Sequence, residues 1–154
     1  MLERLQRLWS SRLETAGAAL DKSAFRLELS QFGWWFVSGR FADDWNIDQL
    51  LATLRITGKV EADLWVVERL RDLAPTMPEK AIECLSLMVD GDDEGWGMLG
   101  WRDSAHRVLE AGVVSPEVGT RQAARALVHK LGGLGYFEFG KLLAGDGTEG
   151  LRNR

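Results

Sequence analysis

The sequence has few of the residues that form disulfides, metal sites and catalytic centres. Cys84 is the single cysteine among 154 residues, so no internal disulfide can form, which is typical of a reducing compartment. The two histidines, His106 and His129, lie on different segments, and neither has a serine or cysteine nucleophile in a recognisable setting nearby. We therefore predict that the chain is not an enzyme and that it holds no metal and no cofactor.

Long apolar runs are also missing. The longest run covers residues 32–37 and is far shorter than the roughly 18 residues needed to cross a bilayer. The first residues include the acidic Glu3 and have neither the apolar stretch nor the small-residue cleavage site of a signal peptide. These features predict a cytoplasmic protein without a membrane partner.

No segment carries a large excess of positive charge. The 19 Lys and Arg residues are scattered, and with 23 Asp and Glu residues the formal net charge is −4. Proteins that bind nucleic acids usually concentrate Lys and Arg on one face, because neutralising phosphates supplies much of their affinity. The charge balance therefore disfavours a nucleic-acid partner. A content of 45% hydrophobic and 27% charged residues is ordinary for a globular domain.

Apolar residues recur every three or four positions along most of the chain, and no segment shows the alternation of a β-strand. Proline and glycine mark the ends of the helical segments, as at Gly58, Pro78 and Pro116. The pattern predicts an all-α protein with one domain over residues 1–144 and a flexible tail over residues 145–154. The predicted helices cover residues 2–20, 23–39, 43–58, 61–73, 78–89, a segment that begins near 103, 118–131 and 137–143.

Two helix–turn–helix units have similar sequences. Pro78-Glu79 and Pro116-Glu117 are 38 residues apart, and each pair follows a helix and a short turn. The segment from Pro116 through Arg121 and Ala123-Ala124 to Leu127 resembles the second helix of a HEAT repeat, although Gly119 departs from that pattern. The resemblance implies a HEAT-like α-solenoid, or a right-handed helical repeat bundle, of about seven or eight helices in antiparallel pairs.

An aromatic segment carries a second resemblance. Residues 32–41, Phe-Gly-Trp-Trp-Phe-Val-Ser-Gly-Arg-Phe, are followed by Trp45. This segment is similar to the C-terminal helical regions of large uncharacterised bacterial proteins, some of which carry NTPase or sirtuin-like domains and act in phage defence. The resemblance implies that the chain is a terminal regulatory or recognition part of a larger bacterial protein.

Tryptophan is frequent, with seven copies, and large aromatic side chains often anchor protein partners. Trp34 and Trp35 point about 100° apart on one helix, so an exposed Trp34 would be a candidate binding residue. Trp96 and Trp101 lie in the glycine-rich segment 90–101, which we expect to be irregular. They would either anchor a partner or fold back over the junction between two repeat units.

The same segment begins like a calcium-binding loop. Asp90, Asp92 and Glu94 fall at positions one, three and five, and Gly95 at position six, but position twelve is Trp101 instead of the closing glutamate. We therefore interpret residues 90–95 as an acidic connection rather than a calcium site.

Two arginines complete the candidate site. In a repeat protein the second helices of successive units line one face, which would bring Arg121 and Arg125 close to Glu79 and Glu83. These arginines would then form ion pairs between units or contribute to a binding surface.

The favoured hypothesis is a non-catalytic protein-interaction or scaffold module that binds through Trp34, Trp96, Trp101, Arg121 and Arg125. Its partner would be another protein or other domains of a longer chain. The alternative is a nucleic-acid-binding or base-repair domain on a HEAT-like scaffold, which should be basic on its concave face.

Overall fold

The computed structural model describes residues 1–144, so the predicted flexible tail at 145–154 lies outside the described residues. Within 1–144 the regular structure is entirely helical, without a β-strand, which confirms the all-α prediction. The elements are α1 (Leu2–Ala18), α2 (Ser23–Ser30), α3 (Phe32–Val37), α4 (Asp43–Thr57), α5 (Asp63–Leu73), α6 (Pro78–Gly91), α7 (Trp96–Val113), α8 (Val118–Gly133) and a 3-10 helix (Phe137–Gly140).

Local sequence signals set several helix ends as predicted. Gly58 follows α4 with a φ of 68°, the left-handed conformation that glycine adopts readily at a helix C-terminus. Pro78 is the first residue of α6, where its missing N–H leaves no helical hydrogen bond unmade. Asp43 and Asp44 lie in the first turn of α4, where their negative charge complements the helix dipole.

Two sequence-based predictions about helix boundaries are wrong. The helix predicted over residues 23–39 is divided into α2 and α3 at Gln31. The segment 90–101, predicted to be irregular, is mostly helical, because α6 extends to Gly91 and α7 begins at Trp96. The Asp92 carboxylate accepts hydrogen bonds from the backbone N–H groups of Gly97 and Met98 at 3.0 and 2.9 Å. These bonds satisfy free donors in the first turn of α7 and so favour its early start.

The helices pack against neighbours that are two elements away as well as against adjacent ones. Helix α5 contacts α3 and α7, while α6 contacts α4 and α8. The helices from α3 onward therefore form two rows, α3–α5–α7 and α4–α6–α8, with the apolar core between them.

An aromatic cluster fills the core near the N-terminus. Trp9 stacks on Phe32 with ring centroids 4.9 Å apart, and Phe41 contacts Trp45 at 4.8 Å. Trp35 contacts Trp9 and Phe41 and so links the two pairs. This cluster contains three of the seven tryptophans and joins α1, α3 and α4. No helix within the described part of the chain is long and apolar enough to cross a membrane.

Candidate interaction surface

Two tryptophans from neighbouring helices lie side by side on the protein surface. Trp34 of α3 and Trp65 of α5 have ring centroids 5.9 Å apart and an interplanar angle of 34°. They remain 50% and 54% exposed, respectively. Mutual contact covers only part of each ring, so both indoles present apolar surface to solvent.

A close backbone approach at Gly33 brings these two helices together. The backbone N–H of Glu61 donates a 2.8 Å hydrogen bond to the carbonyl oxygen of Ser30. A Cβ atom at Gly33 would lie 1.8 Å from the carbonyl oxygen of Glu61, so only glycine allows this approach. Ala62 then takes a φ of 57°, a strained value for a residue with a side chain, just before α5 begins. The connection between α4 and α5 is thereby held against α3, next to Trp34.

The exposed apolar surface continues from α5 to α7. Leu64 is exposed beside Trp65, and its Cδ1 atom lies 3.7 Å from the position that a Cβ atom on Gly100 would occupy. Leu99 is exposed next to Gly100, and Trp96, three residues earlier on the same face of α7, is 72% exposed. We call these exposed residues on three neighbouring helices the aromatic strip, defined by Trp34, Leu64, Trp65, Trp96 and Leu99.

A cavity of about 270 Å³ lies beside Trp96 at the α7 end of the aromatic strip. Trp101 forms part of its wall and is only 4% exposed. The indole N–H of Trp101 donates a 3.2 Å hydrogen bond to the Asp63 carboxylate at the start of α5. A Cβ atom on Gly97 would lie 2.6 Å from the Trp101 ring, so the absence of a side chain there lets the ring pack against α7.

The cavity is acidic. Three carboxylates line it, those of Asp63, Asp92 and Glu94, together with one ammonium group, that of Lys59. Lys59 also forms an exposed ion pair with Asp93 at 3.5 Å. Glu94 has no ion-pair partner among the described residues. Negative charge is therefore in excess around the cavity.

The carboxylates that resemble the start of a calcium loop are engaged in different interactions. Asp90 pairs with Lys130 of α8 at 2.6 Å, whereas Asp92 accepts hydrogen bonds from the first turn of α7. Among residues 1–144, no group of three or more His, Cys, Asp or Glu side chains is arranged to hold a metal ion.

The structure separates the five residues predicted to bind a partner. Trp34 and Trp96 lie on the aromatic strip, whereas Trp101 is buried and closes the junction between α5 and α7. Trp101 was predicted either to anchor a partner or to fold back over the junction between two repeat units. Its burial excludes the role of an exposed anchor. Arg121 and Arg125 lie on α8, which packs mainly against α6, α7 and the 3-10 helix.

The ion pairs predicted for Arg121 with Glu79 or Glu83 are wrong. Arg121 instead donates to the carbonyl oxygens of Ser115 and Pro116 at 2.8 and 3.0 Å, ahead of its own helix. Glu83 pairs with Arg55 of α4 at 2.7 Å. Arg121 therefore stabilises the turn before α8 rather than a contact between repeat units. Arg125 is exposed, and a binding role for it stays a prediction.

Trp65 and Leu64 are not among the binding residues predicted from the sequence. The buried residues of α5 are Val66, Val67, Leu70 and Leu73, a set that follows helical spacing without either of them. The spacing of these four apolar residues already defines one buried face of α5, and this signal in the sequence could have placed Leu64 and Trp65 outside it.

The Cys84 thiol is poorly suited to nucleophilic chemistry. Cys84 is buried, and desolvation, followed by the nearby Glu83 carboxylate, raises the pKa of its thiol far above the ordinary range. Because the thiolate is the reactive form, this cysteine is a poor nucleophile. His106 lies 3.5 Å from Glu110 on the same helix and close to the ring of Phe139.

Comparison with protein-family models, with curated proteins and with solved structures finds no match for this chain. The two resemblances noted in the sequence therefore stay predictions.

Proposed function

We propose that this chain is a non-catalytic protein-interaction module and that a partner protein binds to the aromatic strip. The observation that carries the proposal is the exposed Trp34–Trp65 pair, continued by Leu64, Leu99 and Trp96 across three helices. Contiguous apolar surface of this kind often marks a binding site on a monomeric protein, and tryptophan is enriched among residues that dominate binding energy.

The packing supports a HEAT-like arrangement as the scaffold. The two units with similar sequences correspond to the pairs α5–α6 and α7–α8, and equivalent helices pack against each other, α5 on α7 and α6 on α8. In repeat proteins such stacking produces an extended surface made from equivalent positions of successive units. The aromatic strip crosses the row α3–α5–α7 in this manner.

We further propose that the module is the recognition or regulatory part of a larger bacterial protein in the cytoplasm. The aromatic segment at residues 32–41 supports the first part, and the single buried thiol is compatible with a reducing compartment. The alternative of a nucleic-acid-binding or base-repair domain has less support, because the cavity beside the strip is lined mainly by carboxylates, which repel phosphates.

A random peptide library, displayed on phage and selected on the immobilised chain, tests the proposal. We expect enriched peptides that bind the wild type and bind the double variant Trp34→Ser/Trp65→Ser at least about tenfold more weakly, the loss typical of central aromatic anchors. Phe137→Ser is the matched control, because Phe137 is 78% exposed but lies outside the strip. Peptides that bind the double variant as tightly as the wild type would contradict the proposal.

A further inference from the structure

The charged residues that flank the aromatic strip indicate what kind of partner it accepts. Glu68 lies one turn after Leu64 and Trp65 on α5, Asp103 lies one turn after Leu99 on α7, and Glu61 precedes α5 next to Gly33. None of these three carboxylates has an ion-pair partner among residues 1–144. The apolar surface is therefore bordered by unneutralised negative charge.

Each of the four arginines on α5 and α7 is engaged in an ion pair with another carboxylate; Arg69 pairs with Asp43 and Arg107 with Glu110. Arg71 pairs with Asp72 at 3.3 Å and also contacts the Ser104 hydroxyl at 3.4 Å. Arg102 pairs with Glu138 at 3.4 Å and lies over the ring of Tyr136, so its charge is directed toward the C-terminal 3-10 helix. A partner approaching the strip thus meets three carboxylates that form no ion pair with any of residues 1–144.

The cavity at the end of the strip also carries an excess of negative charge, and part of its wall is aromatic. Trp96 belongs to both the strip and the cavity, and Asp63, Asp92 and Glu94 outnumber Lys59 around it. Two of these carboxylates already accept hydrogen bonds, Asp63 from the Trp101 indole and Asp92 from the start of α7. None of these hydrogen bonds brings a positively charged group to the cavity, and Glu94 has no ion pair within the described chain. A cation beside an indole face and carboxylates is favoured by cation–π and ionic attraction together.

We infer that the aromatic strip binds a basic segment of a partner protein, whose apolar side chains cover the indoles while a Lys or Arg side chain enters the cavity beside Trp96. This inference rests on the proposed function and adds the chemistry of the partner. It follows from complementarity of charge around an apolar surface, which governs the choice and the approach of partners.

Three matched synthetic peptides test the inference. They share the same leucine and tryptophan anchors and carry lysine, glutamine or glutamate at all other positions, and their binding is measured by fluorescence anisotropy. We expect the lysine peptide to bind about tenfold more tightly than the glutamine peptide, as several partly exposed ion pairs together would produce. Its advantage should shrink between about 0.05 and 0.5 M salt, where screening becomes strong.

Variants of the chain show which carboxylates produce the preference for the lysine peptide. Glu68→Gln/Asp103→Asn and, separately, Glu94→Gln should weaken binding of the lysine peptide and leave the glutamine peptide unchanged. Glu79→Gln/Glu117→Gln, which neutralises two exposed carboxylates away from the strip, should change neither. A lysine preference that survives the first two sets of substitutions would overturn the inference.

The remaining outcomes separate the inference from the proposed function. If all three peptides bind equally and Trp34→Ser/Trp65→Ser abolishes binding, the charge inference fails and the proposed function stands. If no peptide binds in a manner that depends on Trp34 and Trp65, both fail. Self-association that disappears in Trp34→Ser/Trp65→Ser would show that a second copy of the chain occupies the strip. Tight binding of single-stranded RNA to the strip would show that the partner is a nucleic acid. Either result overturns the inference.

Discussion

A methyl group added at Gly33 tests the contact that brings α3 next to α5. In Gly33→Ala the new Cβ atom would lie 1.8 Å from the Glu61 carbonyl oxygen, so the two segments would have to separate by about 1.5 Å to reach ordinary contact. That separation would lengthen the 2.8 Å hydrogen bond from the Glu61 N–H to the Ser30 carbonyl beyond its normal range.

The magnitude follows from three opposing contributions. Overpacking against backbone costs about 1–3 kcal/mol, and the lost hydrogen bond costs about 1 kcal/mol. Alanine favours a helix over glycine by about 1 kcal/mol, which offsets part of the loss. We therefore expect Gly33→Ala to lower the free energy of unfolding by about 1–3 kcal/mol and the melting temperature by about 3–10 °C.

Urea and thermal unfolding followed by circular dichroism measure this effect. Gly119→Ala is the control, because Gly119 is also in a helix but no atom lies within 4 Å of its added Cβ. The control should be as stable as the wild type or more stable by up to about 1 kcal/mol. Unfolding of Gly33→Ala at the same urea concentration as Gly119→Ala, or at a higher one, would contradict the close approach of Gly33 to Glu61.

Three further predictions concern the cavity and the core. Trp101→Phe removes the hydrogen bond to Asp63 and should lower the free energy of unfolding by about 1–3 kcal/mol. Trp96→Phe should change it by less than about 0.5 kcal/mol, because Trp96 is exposed. Equal free energies of unfolding for the two variants in urea would contradict the burial of Trp101 and the exposure of Trp96. Asp92→Ala should lower the free energy of unfolding by about 1 kcal/mol and reduce the helix content, because the first turn of α7 loses both hydrogen bonds to the Asp92 carboxylate. An unchanged circular dichroism spectrum and unchanged stability would count against this helix cap. Cys84 should resist a thiol reagent in the native protein and react fully in urea, because burial hides the thiol and raises its pKa. Rapid labelling of the native protein would disprove that burial.

The candidate site was only partly predictable from the sequence. Trp34 was identified because two adjacent tryptophans on one helix cannot both face the core, and Trp35 takes the core position. Trp65 was missed, since its exposure depends on which face of α5 the neighbouring helices cover. Trp101 is buried where α7 packs against α5, and it bonds to Asp63, which lies 38 residues away along the chain, whereas Trp96 stays exposed.

The helical class and most helix ends could be predicted from local sequence patterns. Helical periodicity, the glycine after α4 and the proline at the start of α6 act within one or two turns, so they can be read without knowing the neighbours. Which apolar residues stay outside the core depends on how the helices pack against one another. Trp34 meets Trp65, and Gly33 meets Glu61, through contacts between segments that are distant in sequence, and no local pattern encodes such contacts.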